Sequence, residues 1–128
     1  MLDDLRDFKM VKIPEAYVFC ERVLVKTYAE FTKIINERGL PSAVFLDHDL
    51  GPLSLKECLR AKGSGFNYFN LKDEKTGCDA ARFLINYCKD NKKKLPKYHC
   101  HSMNHIGCKN ILDLLNKHKE KENNGSKN

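Results

Sequence analysis

The fold is decided by the stretch AVFLDHDLG at residues 43–51. Its first four residues form an unbroken apolar run, which is typical of a strand buried on both faces of a parallel sheet. The run ends abruptly in Asp47, His48 and Asp49. Because ligands of open α/β sheets bind beyond the carboxyl ends of the strands, this stretch predicts both a central strand and a polar site at its end.

The segments before this stretch have the pattern of one strand and one helix. Residues 23–26 are apolar and β-branched and predict a short strand. Thr27 is placed to cap a helix that stops at Gly39. This strand, helix and second strand form the beginning of a parallel α/β sheet.

The segments after it continue the alternation. Residues 52–75 show little periodicity and predict an irregular loop, which is either a lid over the site or an unstructured insertion. Thr76 is placed to cap a second helix near residues 78–91, and residues 98–102 predict another strand. A turn at 103–107 and a third helix follow. The alternation predicts an α/β fold with right-handed crossovers and a short, mostly parallel sheet of about four strands.

Length and charge indicate one domain with a basic end. The chain has 128 residues and a net charge of +6, and residues 89–128 hold ten Lys against four Asp or Glu, which accounts for the whole excess. We expect a single domain at 1–118 and a flexible basic tail at 119–128. The absence of aromatic platforms and recognition motifs disfavours nucleic acid as the partner.

Several classes of protein are disfavoured by what the sequence lacks. No stretch has the roughly 18–20 apolar residues of a membrane helix, and no secretory signal is recognisable, so a cytoplasmic location is expected. The six Cys have no CxxC spacing, which argues against a structural zinc site and favours mostly reduced, buried thiols. A phosphate-cradling Walker loop is also absent.

Polar residues follow each predicted strand and form one candidate site. Asp3 and Asp4 form a further acidic pair near the N-terminus, and if this pair meets Asp47, the carboxylates would suit Mg²⁺ or Mn²⁺, because carboxylate oxygens are the ligands these ions prefer. The candidate catalytic groups are Asp47, His48, Asp49 and His101, with the histidines moving protons. The candidate phosphate contacts are Arg6, Lys26, Ser102 and Asn104. For each residue taken singly, a helix cap, a turn or an exposed surface position is the competing interpretation.

These residues resemble a known family, the cyclic-phosphate processing receiver domain of bacteria and their phages. The stretches that carry the resemblance run in family order over about residues 1–116, and they are Leu2–Arg6, Val25–Tyr28 with Glu30 and Phe31, Phe45–Gly51, Thr76–Asp79, and His101–Asn104 with Gly107. The resemblance implies a receiver-like, flavodoxin-like three-layer sandwich with Mg²⁺ held between an acidic pair and a phosphoacceptor Asp. In this chain Asp3 and Asp4 match the pair, Asp47 the acceptor and Ser102 a receiver hydroxyl. The Lys of a fifth strand is not recognisable.

Three functions remain open from the sequence. The first is hydrolysis of a small cyclic or otherwise phosphate-bearing nucleotide in the acidic and histidine-bearing cleft. The second is a non-catalytic protein that sequesters a nucleotide immune signal, as a phage would need to counter a host defence. The third is a phosphoacceptor receiver that uses Asp47. The first two functions predict a small nucleotide ligand, and the expected location is the cytoplasm of a bacterial or phage-infected host cell.

Overall fold

A computed structural model describes residues 1–8, 11, 13–17, 20–62 and 65–125. Its helices are α1 (Tyr28–Arg38), α2 (Pro52–Ala61), α3 (Gly77–Asn91) and α4 (His105–Gly125), and its strands are β1 (Ala43–Leu46) and β2 (Lys97–Cys100). Short 3₁₀ turns lie at Glu15–Tyr17 and Tyr68–Leu71. None of the helices in the described ranges combines the length and the apolar character needed to cross a membrane.

The sheet is parallel, as predicted, but shorter than expected. Strands β1 and β2 pair in register from Ala43 opposite Lys97 to Leu46 opposite Cys100. Leu2 lies on the other side of β1 and forms isolated parallel bridges to Leu46 and Val25. The expectation of about four strands was therefore wrong, since the described residues form two strands and the two outer segments are single bridges. The reason is length, because Asp3 follows Leu2 at once and α1 begins just after Val25.

Helices α1 and α3 begin where their sequence caps predicted. The Thr27 side chain accepts from the backbone N–H of Glu30, and α1 ends at Gly39, which has a positive φ of 81°. The Thr76 side chain accepts from backbone amides of the first turn of α3, while Asp79 accepts from the Thr76 N–H. This reciprocal capping box satisfies amides that the start of a helix leaves without partners.

Helix α2 corrects the prediction of an irregular loop at residues 52–75. Its first residue, Pro52, has a backbone φ suited to a helix start, but Gly51 offers no side-chain cap. The cap comes from Glu74, whose two carboxylate oxygens accept from the backbone amides of Leu53 and Ser54 at 3.1 and 2.6 Å. A capping residue about twenty positions away leaves no signal near the start of the helix. The local sequence pattern therefore did not predict α2.

Helix α4 is longer than the sequence suggested. It begins at His105, inside the predicted turn at 103–107, and it continues through the segment expected to be a flexible tail as far as Gly125. Lys109 and Asp113 form an ion pair one turn apart on its exposed face, and the largely buried His118 ring lies 3.1 Å from the Glu122 carboxylate one turn further on.

The main core lies on one face of the sheet. It is a cluster in which Val44 and Leu46 pack with buried residues of three helices, namely Phe31, Ile35, Ala80, Ala81, Leu84, Ile111 and Leu115. On the opposite face Phe45 stacks on His99, and Tyr17 packs edge-on against both rings. The expected third layer stays a prediction, because residues 9–10, 12 and 18–19 near Tyr17 lie outside the described residues.

The cysteines are not all reduced. Cys20, Cys58, Cys78 and Cys88 are free, but Cys100 and Cys108 form a disulfide. Their Cα atoms lie 5.7 Å apart, because the end of β2 meets the first turn of α4. The spacing of eight residues carried no recognisable signal for this pairing.

Candidate functional site

Three carboxylates converge at the carboxyl edge of the sheet. Asp3 directly follows Leu2, and Asp47 directly follows β1. One oxygen from each of Asp3, Asp4 and Asp47 lies within 4.8 Å of the others. We refer to these three residues as the acidic cleft. The structure thus brings together the residues that the sequence predicted as metal ligands.

Asp3 is the fixed member of the acidic cleft. Its Oδ1 accepts from the backbone amides of Leu5 and Arg6, both at 2.9 Å, and its Oδ2 lies 2.7 Å from Nε2 of His101. Burial acts to raise the pKa of Asp3, but the His101 contact and the two amides outweigh it and lower that pKa below its ordinary value of 3.8. Asp3 is therefore ionised and held in one position.

Asp47 and Asp4 have the opposite electrostatic character. Burial, followed by the charge of Asp3, raises the pKa of Asp47 to about 6, although a hydrogen bond from Ser102 opposes the rise. Burial also raises the pKa of Asp4, and the charges of Asp3 and Asp49 add to the effect. Moreover, Oδ1 of Asp4 is buried with no hydrogen-bond partner among the described residues. The acidic cleft thus carries more negative charge than its neighbours compensate.

This donor set fits a hard divalent cation. All three groups present carboxylate oxygens, which suit Mg²⁺ or Mn²⁺, and the Asp4 oxygen has no competing partner among the described residues. A bound cation would relieve the repulsion that raises the pKa of Asp47.

His101 and Arg6 border the acidic cleft on its basic side. Asp3 orients the His101 ring through Nε2, and the other ring nitrogen, Nδ1, is buried without a described partner. Nη1 of Arg6 donates to the His101 carbonyl oxygen at 2.6 Å, and its Nε lies 3.9 Å from Asp3 Oδ2. Lys26 follows Val25 at the neighbouring edge and is exposed.

Two of the predicted phosphate contacts are engaged within the protein. The Ser102 hydroxyl is hydrogen-bonded to Asp47 and also accepts from the backbone N–H of Asn104 at 3.0 Å. The buried Asn104 side chain accepts from the Gly107 N–H and donates to Asp49 at 3.2 Å. In this conformation both residues shape the site, and their contact with phosphate stays a prediction.

His48 lies apart from the acidic cleft, in a second polar cluster. Its Nδ1 is 2.7 Å from Asp49 Oδ1, and its Nε2 is 2.8 Å from the Tyr68 hydroxyl. Burial acts to lower the pKa of His48, but hydrogen bonds to Asp49 and Cys78 outweigh it and raise that pKa to about 9. His48 is thus a protonated, fully buried side chain. We call His48, Asp49, Tyr68 and Asn104 the histidine cluster.

The histidine cluster contains residues that sequence reasoning missed. Tyr68 comes from the segment predicted to be a loop or lid, and its hydroxyl also accepts from Asn110 Nδ2 at 2.9 Å and lies 3.5 Å from Cys78 Sγ. Gly107 is needed for space, because a Cβ there would lie 2.3 Å from the His48 ring. Nothing local in the sequence marks the contacts of Tyr68 and Gly107 with His48, since these contacts form only after folding.

The fold and the site define a class of protein. A parallel α/β sheet that places an acidic pair after its first segment and a further Asp after its central strand is the arrangement of receiver domains. The chain belongs to the cyclic-phosphate processing receiver domain family, whose model matches residues 1–117. No curated protein and no solved structure matches the chain.

Proposed function

We propose that this protein hydrolyses a phosphodiester or phosphoanhydride bond of a small cyclic or linear nucleotide, with Mg²⁺ or Mn²⁺ bound in the acidic cleft. The observation that carries the proposal is the convergence of three carboxylate oxygens within 4.8 Å, together with the buried Asp4 Oδ1, which has no hydrogen-bond partner among the described residues. The family description, which refers to processing of cyclic phosphates, supports the same class of substrate.

The acidic cleft would hold the metal through Asp3, Asp4 and Asp47. When bound, such an ion supplies positive charge to the phosphate oxygens and lowers the pKa of a coordinated water. His101 would then hold or accept a proton at Nδ1, since Asp3 fixes the ring through Nε2 and Nδ1 has no described partner. Arg6 and Lys26 would attract the phosphate, since they are the two cations that the sequence predicted for that role.

His48 and Asp49 would support the reaction from outside the acidic cleft. The protonated His48 ring is closed off by its neighbours, so its contribution is to position Asp49, which also accepts from the Asn104 side-chain amide. Asn104 in turn connects to Ser102, and Ser102 contacts Asp47. The histidine cluster would therefore act on the substrate through the alignment of Asp47.

Two exposed apolar side chains favour a nucleotide over a simple phosphate ester. Leu5 is 71% exposed and directly follows the Asp3-Asp4 pair, while Met103 is 80% exposed and directly follows Ser102. Apolar side chains beside a charged cleft would contact a nucleobase once the phosphate is bound. Replacing both by Ser should weaken nucleotide binding and leave the affinity for pyrophosphate unchanged.

The test is incubation of the full chain with a panel of cyclic mononucleotides, cyclic oligonucleotides and linear nucleotides. Each reaction is run with Mg²⁺, Mn²⁺ or EDTA and is read by mass spectrometry and thermal shift. Asp47→Asn and Asp4→Asn should lower turnover by more than the roughly 10–100-fold typical of losing a group that only supports a metal ligand. Asp113→Asn is the matched control, because Asp113 lies on the exposed face of α4.

The outcomes separate the remaining functions. Metal-dependent product formation that Asp47→Asn abolishes supports hydrolysis. Strong thermal stabilisation by an intact nucleotide, without product, would instead indicate a sequestering protein. No response to any nucleotide under any metal condition would refute both.

A second candidate function is phosphoryl acceptance at Asp47. It is favoured by the Ser102 hydroxyl on the Asp47 carboxylate and by the adjacent Asp3 and Asp4. Incubation with acetyl phosphate and Mg²⁺ tests it, since an acyl phosphate on Asp47 adds a phosphoryl group detectable by intact mass. An unchanged mass, with hydrolysis of a nucleotide in the parallel assay, would exclude this function.

A further inference from the structure

One loop carries the contacts that join the two polar clusters. The segment 101–107 leaves β2 and enters α4, and we call it the site loop. Within it His101 contacts Asp3, and Ser102 contacts Asp47. The site loop therefore contacts two members of the acidic cleft.

A disulfide closes the two ends of this loop. Cys100 is the last residue of β2 and immediately precedes His101, while Cys108 lies in the first turn of α4 and immediately follows Gly107. Both cysteines are partly exposed, so a small thiol can reach them. The covalent link thus spans the site loop and nothing else.

The remaining anchors of the site loop are noncovalent. Asn104 bonds to Gly107, Asp49 and the Ser102 hydroxyl. The amino half has a sheet bond from the His101 N–H to the Leu46 carbonyl, the Arg6 contact to the His101 carbonyl, and the side-chain contacts of His101 with Asp3 and of Ser102 with Asp47. Met103, between the two halves, is largely exposed. Cleaving the disulfide would remove the covalent cross-link that ends directly beside His101.

We propose that Cys100 and Cys108 form a reversible thiol–disulfide switch that controls the metal affinity of the acidic cleft by holding the site loop in place. The effect on metal binding rests on the proposed function, whereas the effect on the loop does not. A cytoplasmic location, as expected from the sequence, would keep the pair exposed to thiol reductants and to small-molecule disulfides.

The chemistry is ordinary thiol–disulfide exchange. One cysteine thiolate attacks a sulfur of a small disulfide such as oxidised glutathione, forms a mixed disulfide and releases one glutathione thiolate. The second cysteine thiolate then attacks the protein sulfur of that mixed disulfide, which forms the Cys100–Cys108 bond and releases the second glutathione thiolate. The protein thereby loses two electrons and two protons, and both go to the two glutathione thiols. A dithiol such as dithiothreitol reverses the reaction.

The test compares the full chain after treatment with oxidised glutathione and after treatment with dithiothreitol. Thiol alkylation and peptide mass mapping count the Cys100–Cys108 bond in each sample. Mn²⁺ affinity is measured by titration calorimetry, and hydrogen exchange reports the site loop amides. Cys108→Ser represents the permanently open state, and Cys20→Ser is the control because Cys20 is free and exposed.

We expect the oxidised protein to bind Mn²⁺ about tenfold more tightly than the reduced protein, within the range typical of coupling between two sites. Residues 101–103 should exchange more slowly when oxidised, and Cys108→Ser should match the reduced protein under both treatments. Cys20→Ser should behave as the wild type.

The failures are distinguishable. If the bond forms but Mn²⁺ affinity and hydrogen exchange are the same in both states, the switch is refuted. If neither state binds Mn²⁺, the metal proposal fails, and the exchange of residues 101–103 alone then decides whether the disulfide holds the loop. If oxidised glutathione produces no Cys100–Cys108 bond, the switch is also refuted.

Discussion

Asp47→Asn is expected to stabilise the metal-free protein while it removes the proposed function. Asp47 is buried beside the ionised Asp3, and burial followed by that charge raises its pKa from 3.8 to about 6. At about 1.4 kcal/mol for each pKa unit, keeping Asp47 ionised costs the folded state about 3 kcal/mol at neutral pH. Asn has the same shape, its carbonyl oxygen can still accept from Ser102, and it carries no charge. Asp47→Asn should therefore raise the free energy of unfolding at neutral pH by nearly the same amount, about 3 kcal/mol.

The size of the effect depends on pH. Because the pKa of Asp47 is higher in the folded state than in the unfolded chain, stability falls as pH rises from about 4 and is lowest above about 6. The advantage of Asp47→Asn should thus be greatest near pH 8. It should shrink to about 0.5 kcal/mol near pH 4, where the Asp47 carboxyl is mostly protonated in the folded protein.

Urea unfolding followed by circular dichroism at both pH values, with EDTA present, measures this difference. Asp3→Asn is the matched comparison, because hydrogen bonds from His101 and the backbone hold the Asp3 pKa below its ordinary value and its loss should be destabilising. If Asp47→Asn destabilises the protein near pH 8 as Asp3→Asn does, the electrostatic reasoning is refuted. When Mg²⁺ replaces EDTA, the wild type should have a higher free energy of unfolding than Asp47→Asn.

Three further predictions concern the cleft, the histidine cluster and α2. Millimolar Mg²⁺ should raise the melting temperature of the wild type in a differential scanning measurement and leave that of Asp4→Asn unchanged, because Asp4 has a buried oxygen without a described partner. Gly107→Ala should destabilise the protein by about 1–3 kcal/mol, since its Cβ would overlap the buried His48 ring; in a His48→Ala background the same change should instead stabilise by about 1 kcal/mol in urea unfolding. Glu57→Gln should lower the melting temperature at neutral pH, because Arg60 holds the pKa of Glu57 at about 2, below its ordinary 4.5. The difference in melting temperature between wild type and Glu57→Gln should vanish as pH falls from 4.5 towards 2. A difference that stays constant over this pH range would contradict the prediction.

Local patterns in the sequence were sufficient for the central elements. The apolar run of β1 and the Thr27 and Thr76 caps each depend on residues that are close in the sequence. The strand and the two helix starts can therefore be predicted from neighbouring residues alone. The same holds for Asp47, because it directly follows the apolar run and strand ends of a parallel sheet lie at one edge. Asp3 and Asp4 were grouped with Asp47 through the family resemblance, since no strand pattern precedes them.

Helix α2 and the histidine cluster could not be predicted in this way. The cap of α2 is Glu74, and the hydroxyl on His48 comes from Tyr68, twenty residues further along the chain. Such pairs form only when separate segments are brought together by folding. The residue pattern of one segment does not indicate which residues of the other segment it will contact. The same is true of the contact between Gly107 and the His48 ring.

By itself the sequence determined the central strand and the polar residues Asp47, His48 and Asp49 that follow it, because strand and helix signals are local. The tertiary structure alone decided that Asp3 and Asp4 meet Asp47, which polar groups are charged or enclosed, and which cysteines pair. It raised the pKa of Asp47, enclosed His48 and joined Cys100 to Cys108 across the site loop. Burial, charge proximity and sulfur pairing depend on distances through space, and those distances exist only in the folded chain.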